Sequence, residues 1–266
     1  MDNMLTCPIC GGKAYRTALD CKKFFLTSCK GCKLTRTKLT DLISGPSPDL
    51  YMSKSEAEKH YLVQREQFAD YAREILDFLP NVNRGSLLDV GCGMGWVVKE
   101  AGRRGYVAVG IDPSVPYVNL GKRVLKLDLY RKTLEKFRTR QKFDVIVLNH
   151  VLEHIKNPRK FLEKIKYLSS KSGLLLVACP NIDSLMFRLF RCKWYGLVPW
   201  QHIWQFSDKT LKMLLQANGL EVIKIKKTNL YYKVPGIKGA VFRLLLWFSN
   251  IFQSGDQTFI LARPNK

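Results

Sequence analysis

The chain has 266 residues and is 46% hydrophobic, enough for one core of about 200 residues plus a small appendage. No run approaches the roughly 18 uninterrupted apolar residues of a membrane span, and residues 1–7 lack the basic-then-apolar order of a signal peptide. The expectation is a globular, cytoplasmic protein whose eight cysteines serve as thiols or metal ligands rather than disulfides. Lys and Arg number 44 against 22 Asp and Glu, a formal charge of +22. That surplus attracts polyanions, whether RNA, an anionic membrane surface at the inner membrane face, or substrates carrying phosphate or nucleotide groups, and does not select among them. It is densest over 122–142, where nine basic residues face only Asp128 and Glu135.

Cys7-Pro8-Ile9-Cys10 and Cys29-Lys30-Gly31-Cys32 form a C-x2-C, eighteen-residue gap, C-x2-C array. Each pair can wrap one side of a tetrahedral ion, with Gly11 and Gly31 available for tight turns, so Cys7, Cys10, Cys29 and Cys32 suit a structural Zn2+. Four sulfur ligands leave no position for water, which excludes a catalytic zinc there. Cys21, between the pairs, reads as a bystander. Residues 1–45 are therefore expected to be a four-cysteine zinc-binding module and 46–80 a linker and N-terminal helix. Residues 81–266 form the main domain, with insertions near 183–205 and 230–254.

After the proline-containing joint at 45–48, residues 55–79 have helical spacing, with Tyr61, Phe68, Tyr71, Ala72, Ile75 and Leu79 as a buried stripe. Beyond Pro80, short apolar runs alternate with helical stretches, the pattern of βαβ units and a parallel sheet. Strands are expected near 86–90, 107–111, 124–127, 143–148, 173–178, 221–227 and 257–262. Helices are expected near 96–104, 115–121, 158–168 and 208–218.

Residues 87–95, Leu-Leu-Asp-Val-Gly-Cys-Gly-Met-Gly, run an apolar strand into three alternate glycines and then a helix. Glycine there lets a ligand approach the backbone at the carboxyl end of the strand. The second strand ends at Asp112, placed to accept both hydroxyls of an adenosine ribose. A dinucleotide fingerprint would read G-x-G-x-x-G, with a helix N-terminus for the pyrophosphate. Here Asp89 precedes G-x-G-x-G, which suits a cationic amino-acid portion and repels a pyrophosphate.

With Asp89, Gly91, Gly93 and Gly95 matching its E/D-x-G-x-G-x-G signature, the sequence resembles the class I methyltransferase superfamily over roughly residues 60–262. The resemblance implies an α/β fold, a doubly wound Rossmann-like seven-stranded mostly parallel sheet behind the zinc-ribbon-like module. It implies S-adenosyl-L-methionine as methyl donor, held by Asp89, Gly91, Cys92, Gly93, Gly95, Asp112 and Asn149. Asp128, after the third expected strand, would lie near the adenine.

The fourth expected strand delivers residues 149–154, Asn-His-Val-Leu-Glu-His, to the carboxyl edge of the sheet. With Asn157-Pro158 and Pro180-Asn181, this resembles the small-molecule subgroup with an "LEH…NP…PN" pattern, which includes ubiquinone-pathway O-methyltransferases and sugar C-methyltransferases. Methyl transfer from a sulfonium needs an acceptor held in line and, for a poor nucleophile, a base. The candidate bases are His150 and His202, the latter within 199–207, a loop that the resemblance places over the acceptor. Glu153 and His154 read as loop-fixing groups. Alternatively His150, Glu153 and His154, at i, i+3 and i+4, share one helical face and hold a divalent ion.

Two further stretches, 185–195 and 240–248, are aromatic, apolar and dotted with arginine. They read as a lid over the acceptor, as interfacial helices on an anionic membrane, or as a helical cap packed on itself. Three functions stay open: methyl transfer to a small-molecule, lipid-linked or glycan-linked acceptor; an RNA methyltransferase; and a non-catalytic zinc-containing binding protein.

Overall fold

The computed structural model describes residues 6–39, 53–80, 85–229 and 236–265, so the joint at 45–48 and part of the 230–254 insertion lie outside the described residues. Strands β1 (Tyr15–Asp20), β2 (Phe24–Cys29) and β3 (Thr35–Leu39) form an antiparallel meander. Helix α1 (Lys54–Asp77) begins at a capping box, in which Ser53 and Glu56 satisfy each other's backbone N–H groups. The main sheet is built from β4 (Ser86–Val90), β5 (Val107–Asp112), β6 (Leu129–Arg131), β7 (Phe143–Asn149), β8 (Ser169–Pro180), β10 (Leu220–Thr228) and β11 (Gln257–Pro264). Its helices are α2 (Trp96–Arg103), α3 (Val115–Leu120), α4 (Pro158–Leu168), α5 (Leu185–Phe190), α6 (Asp208–Ala217) and α7 (Gly236–Ile251), and the short β9 (Trp204–Gln205) lies between α5 and α6.

The strand order is β10-β11-β8-β7-β4-β5-β6. Only β11 runs antiparallel to its neighbours. Successive residues of the central strands point to opposite faces, and the core divides accordingly. Leu87, Val145, Val147, Leu176 and Phe259 pack with Ala72 and Ile75 of α1 and Val97 and Ala101 of α2. Leu88, Ile146, Leu148, Val177 and Ile260 pack with Phe161, Leu162 and Ile165 of α4 and Leu211, Leu214 and Leu215 of α6. The expected helical stripe divides: Ala72, Ile75 and Leu79 are buried, whereas Tyr61, Phe68 and Tyr71 are only half-buried.

The third strand departs from expectation. Residues 121–125 form a wide helical turn that ends in a left-handed Lys126, φ 57°, and the strand starts at Leu129 rather than Val124. Asp128 therefore precedes the strand, and its backbone carbonyl accepts from Gly110 N–H.

The cysteine module is joined to the main domain. Strand β9 adds to the open edge of β3, pairing Thr35 with Gln205 and Arg36 with Trp204. Arg159 of α4 donates to the carbonyls of Pro8 and Ile9 at 2.6 and 2.8 Å. The Trp204 indole is buried and donates to Ile155 O at 2.9 Å. The expectation that the cysteines stay unpaired fails at Cys21 and Cys192, which form a disulfide, while Cys7, Cys10, Cys29, Cys32, Cys92 and Cys179 are free thiols. A separation of 171 residues hid this pair from local reading; folding sets the β1–β2 turn beside the turn that follows α5.

Trp204→Ala should cost about 3–5 kcal/mol, the usual range for truncating a fully buried aromatic. Urea denaturation would read this as a lowered midpoint. A loss under about 1 kcal/mol would mean that Trp204 does not brace the junction between module and domain.

Candidate active site

The chain leaves β4 for β5 and β6 on one side and returns to β7 on the other, so a crevice opens at the carboxyl ends where the strand order reverses. A cavity of about 1050 Å³ lies there, lined among others by Asp89, Gly93, Asp112, His150, His154 and His202. Pockets for one small ligand typically reach about 300–1,000 Å³. This one lies at the top of that range.

The glycine loop is shaped by two constraints. Gly91, Gly93 and Gly95 all have positive φ, at 76°, 53° and 90°, a region that favours glycine. A Cβ on Gly91 would run into Val151, whereas one on Gly93 meets nothing within 4 Å, so Gly93 is the point at which a ligand can lie on bare backbone. The carboxylate of Asp112 accepts from Gly93 N–H at 2.9 Å and Ser114 N–H at 2.7 Å. It is thereby aimed before any ligand arrives. Burial raises its pKa, and those two backbone bonds work against the rise.

Asp89 is buried, and its Oδ1 has no hydrogen-bond partner among the described residues. Burial first, and the Asp112 charge second, push its carboxyl up to about 8. An orphaned acidic oxygen at the cavity wall fits a cationic group. Cys92 and Asn149 also line the cavity, and Gly95 stands behind the loop against Leu127 and Leu129. Asp128 does not line it. Because the third strand starts late, Lys132, Thr133, Leu134 and Glu135 occupy the wall expected for Asp128.

At the end of β7, His150 has φ 54°, and its N–H donates to Ala178 O at 2.9 Å. A left-handed histidine is strained, and such strain gathers where a side chain must point in one direction. Its Nδ1 lies 3.2 Å from Glu153 Oε1, and its Nε2 lies 2.9 Å from Gln257 Oε1 and 3.3 Å from the Tyr71 hydroxyl. Burial opposes charge on His150, but the Glu153 carboxylate outweighs it, helped by Gln257 and Asp256, and the pKa rises. Glu153 is fully buried. Its desolvation is overcome by His150 first, then by His154 and His202, which hold it at about 2.

His202 behaves in the opposite way. Burial, reinforced by the nearby His154 and His150 and only partly countered by Glu153, pulls it down to about 4. Its Nδ1 bonds Gly196 O at 3.1 Å, and His154 Nδ1 bonds Gln201 O at 3.2 Å, which leaves Nε2 of each ring as the open nitrogen. The two rings meet edge to face with centroids 4.8 Å apart.

The expected divalent set of His150, Glu153 and His154 does not form. Residues 152–154 make a single tight turn and His150 stands outside it, so the three do not share a helical face. The donor atoms that converge, all within 4.8 Å of one another, belong to Glu153, His154 and His202. The four cysteines of the module also converge within 4.8 Å, with Cys7 and Cys32 sulfurs 3.3 Å apart and Cys10 and Cys29 3.5 Å apart. A tetrahedron of 2.3 Å zinc–sulfur bonds needs sulfurs about 3.8 Å apart, so a small adjustment fits the ion. A Cβ on Gly12 or Gly31 would press on Cys10 Sγ at 3.3 or 3.2 Å.

A family model described as a methyltransferase domain matches residues 63–225, more than half of the chain. The chain belongs to that family. It carries the class I S-adenosylmethionine-dependent methyltransferase fold. Among curated relatives it is 32% identical over 108 residues to a ubiquinone biosynthesis O-methyltransferase of Rhodopseudomonas palustris, covering 39% of this chain and 43% of the relative. It is 28% identical over 152 residues to the mitochondrial ubiquinone biosynthesis O-methyltransferase of Rattus norvegicus, covering 51% and 44%. The chain thus spans less than half the length of either relative. A solved S-adenosylmethionine-dependent methyltransferase from Thermotoga maritima superimposes with TM-score 0.58 at 19% identity, over 79% of this chain and 94% of that one. At that identity the likeness establishes the fold.

Two residues of the methyltransferase site escape a linear reading. Tyr71, assigned to the buried stripe of α1, sends its hydroxyl to Asn149 Oδ1 at 3.1 Å and also to Gln257 Oε1. Gln257, at the start of an apolar strand, is wholly buried under the site. The available signal was a polar atom in each apolar run, since buried hydroxyls and amides need partners.

Binding a cation beside Asp89 favours its ionised form, so affinity for S-adenosylhomocysteine should rise roughly fivefold from pH 7 to 8 and level off above. Below that carboxyl's pKa, binding must first expel a proton. Calorimetry on wild type and Asp89→Asn checks this. The variant should bind more weakly and lose the slope; a slope unchanged in Asp89→Asn would remove Asp89 from the cofactor contact.

Proposed function

We propose that this chain transfers a methyl group from S-adenosylmethionine to a small-molecule acceptor, free or carried on a lipid or glycan, with His202 as general base. One observation carries the reading: a single cavity is lined both by the family's donor loop and by a buried, neutral histidine. In this reading Asp89 takes the amino group of the donor, Asp112 the ribose hydroxyls, and Gly91, Cys92, Gly93, Gly95 and Asn149 form the bed beneath. Bound S-adenosylmethionine supplies a sulfonium methyl open to in-line displacement.

His202 is already uncharged at neutral pH, and its Nδ1 is anchored on a carbonyl, so Nε2 can accept the proton of the attacking atom. His150 serves differently. It stays paired with Glu153, and its charge compensates a carboxylate that would otherwise be buried alone. Trp200, Gln201 and Ile203 line the same wall and supply apolar and amide contacts for the acceptor.

With S-adenosylmethionine saturating, so that Asp89 is already ionised in the loaded enzyme, kcat/KM for the acceptor should hold flat from about pH 6 to 8 and fall only toward the His202 pKa of about 4, because His202 is unprotonated above that value. His202→Ala should lower kcat by about 10²–10⁴, the usual contribution of a general base, while S-adenosylhomocysteine binding stays intact. An acid limb near or above 6.5 that survives His202→Ala would transfer the role to His150. Tritiated-methyl transfer into fractionated extracts defines the acceptor class, and label found in RNA alone would sink the small-molecule reading.

A second reading places a divalent ion on Glu153, His154 and His202, favoured by their convergence. Such an ion would occupy the nitrogen that His202 needs as a base. Activity restored by Mg2+ or Zn2+ after EDTA treatment that leaves the cysteine-module zinc in place selects the ion, and indifference to both selects the base.

We further propose one structural zinc on Cys7, Cys10, Cys29 and Cys32. Elemental analysis should give about one zinc per chain and less in Cys10→Ser. Since β3 pairs with β9 two residues beyond His202, losing the ion should raise KM for the acceptor while S-adenosylhomocysteine affinity stays within about twofold. Equal damage to both would place the module's role elsewhere.

A further inference from the structure

Helix α7 is apolar on two sides. Phe242, Leu245 and Leu246 face inward onto Met186, Phe187, Trp194 and Leu197. Ser249 is buried and bonds Asn229 Oδ1 and Ser254 O at 3.1 and 2.8 Å. The opposite side carries Leu244, Trp247, Phe248 and Ile251, spaced three, one and three residues apart, at 54%, 57%, 40% and 53% exposure, and Phe252 follows at 71%. Trp247 and Phe248 stack edge to face. The adjoining α5 leaves Leu189 and Phe190 exposed at 53% and 41%.

An inward face accounts for one side of an amphipathic helix; a second apolar stripe turned to water destabilises the protein in water unless something covers it. The local charge says what covers it. Arg188, Arg191, Lys193 and Arg243, which neighbour these residues in sequence on α5, the turn after it and α7, are exposed, and neither 184–207 nor 229–255 contains an Asp or Glu. A second copy of the same face would bring like charges together, whereas anionic headgroups neutralise them. At 16 residues α7 is short of a span, and among the described residues no helix is long and apolar enough to cross a membrane.

We propose that the outer face of α7, with Leu189 and Phe190 of α5, docks on an anionic lipid bilayer, its aromatic stripe lying at the level of the acyl boundary and its arginines among the headgroups. Tryptophan at such a boundary keeps its ring in the interfacial layer, and phenylalanine and leucine bury toward the acyl chains. The docking stands independently of the methyl-transfer reading and bears on which acceptors reach the cavity.

The test is co-sedimentation of the full chain with vesicles of phosphatidylcholine alone and of about 70% phosphatidylcholine with 30% phosphatidylglycerol. Wild type should partition onto the anionic vesicles and only weakly onto the neutral ones. Combined Trp247→Ser, Phe248→Ser and Phe252→Ser, and separately combined Arg188→Glu, Arg191→Glu and Arg243→Glu, should each lower partitioning by about tenfold or more. S-adenosylhomocysteine binding retained in both variants shows that the fold is intact. Its absence from wild type counts against the methyltransferase reading and leaves the docking standing. Full partitioning by the serine variant would overturn the proposal, since attraction would then belong to the diffuse positive charge. So would a wild-type dimer in sedimentation velocity that the serine variant abolishes while vesicle binding is absent.

Discussion

Strand β4 has parallel partners on both edges, β5 and β7, and everything that the site does rests on that constraint. A strand held on both sides cannot shift register, so its last residues project into the crevice in one way only. Asp89 and the glycine loop come from β4, Asp112 from β5, and Asn149 and His150 from β7. These groups, far apart in sequence, meet because parallel strands all end at the same edge. The hydrogen bond from Gly93 to Asp112 then ties the first two loops together without spending the whole carboxylate.

One buried negative charge organises the three histidines. Glu153 can neutralise one of them, and it lies nearest His150, which gains affinity for its proton while the buried His202 loses it. The same chemical group is thus given two opposite protonation preferences by environment alone, and in the proposed function these become a fixed countercharge and a proton acceptor. The backbone carbonyls of Gly196 and Gln201 fix which nitrogen of His202 and His154 stays open.

What the sequence disclosed follows the range of the interactions involved. The strand–glycine–helix turn at 87–95 is local, with Asp89 and the glycines within seven residues, and the parallel sheet could be read from alternating apolar runs. The third strand was misread because Val124 and Leu125 carry strand-like side chains, yet Lys126 turns left-handed and starts the strand later. Strands β1, β2 and β3 were missed because none alternates cleanly: β1 is mostly exposed, β2 is buried along nearly its whole length, and β3 is half-buried on both faces. Tyr71, Gln257 and the Cys21–Cys192 bond depend on contacts between residues 78 to 186 positions apart, and no periodicity reports those. The divalent set failed for a backbone reason: the positive φ of His150 breaks the helical spacing on which the expectation relied.

The reversed direction of β11 has a consequence for the order in which the protein comes into being. Because it runs against the sheet, its beginning rather than its end lies at the working edge, which is how Gln257 reaches His150 and Tyr71. Likewise the meander, made before the main sheet, keeps a bare edge on β3 until residues 204–205 arrive to close it. A chain emerging from the ribosome therefore builds the donor loop before it can seal the module, and seals the module before it completes the support beneath His150. A fragment ending anywhere between residues 96 and 256 carries the glycine signature in full and still lacks the floor of its own site.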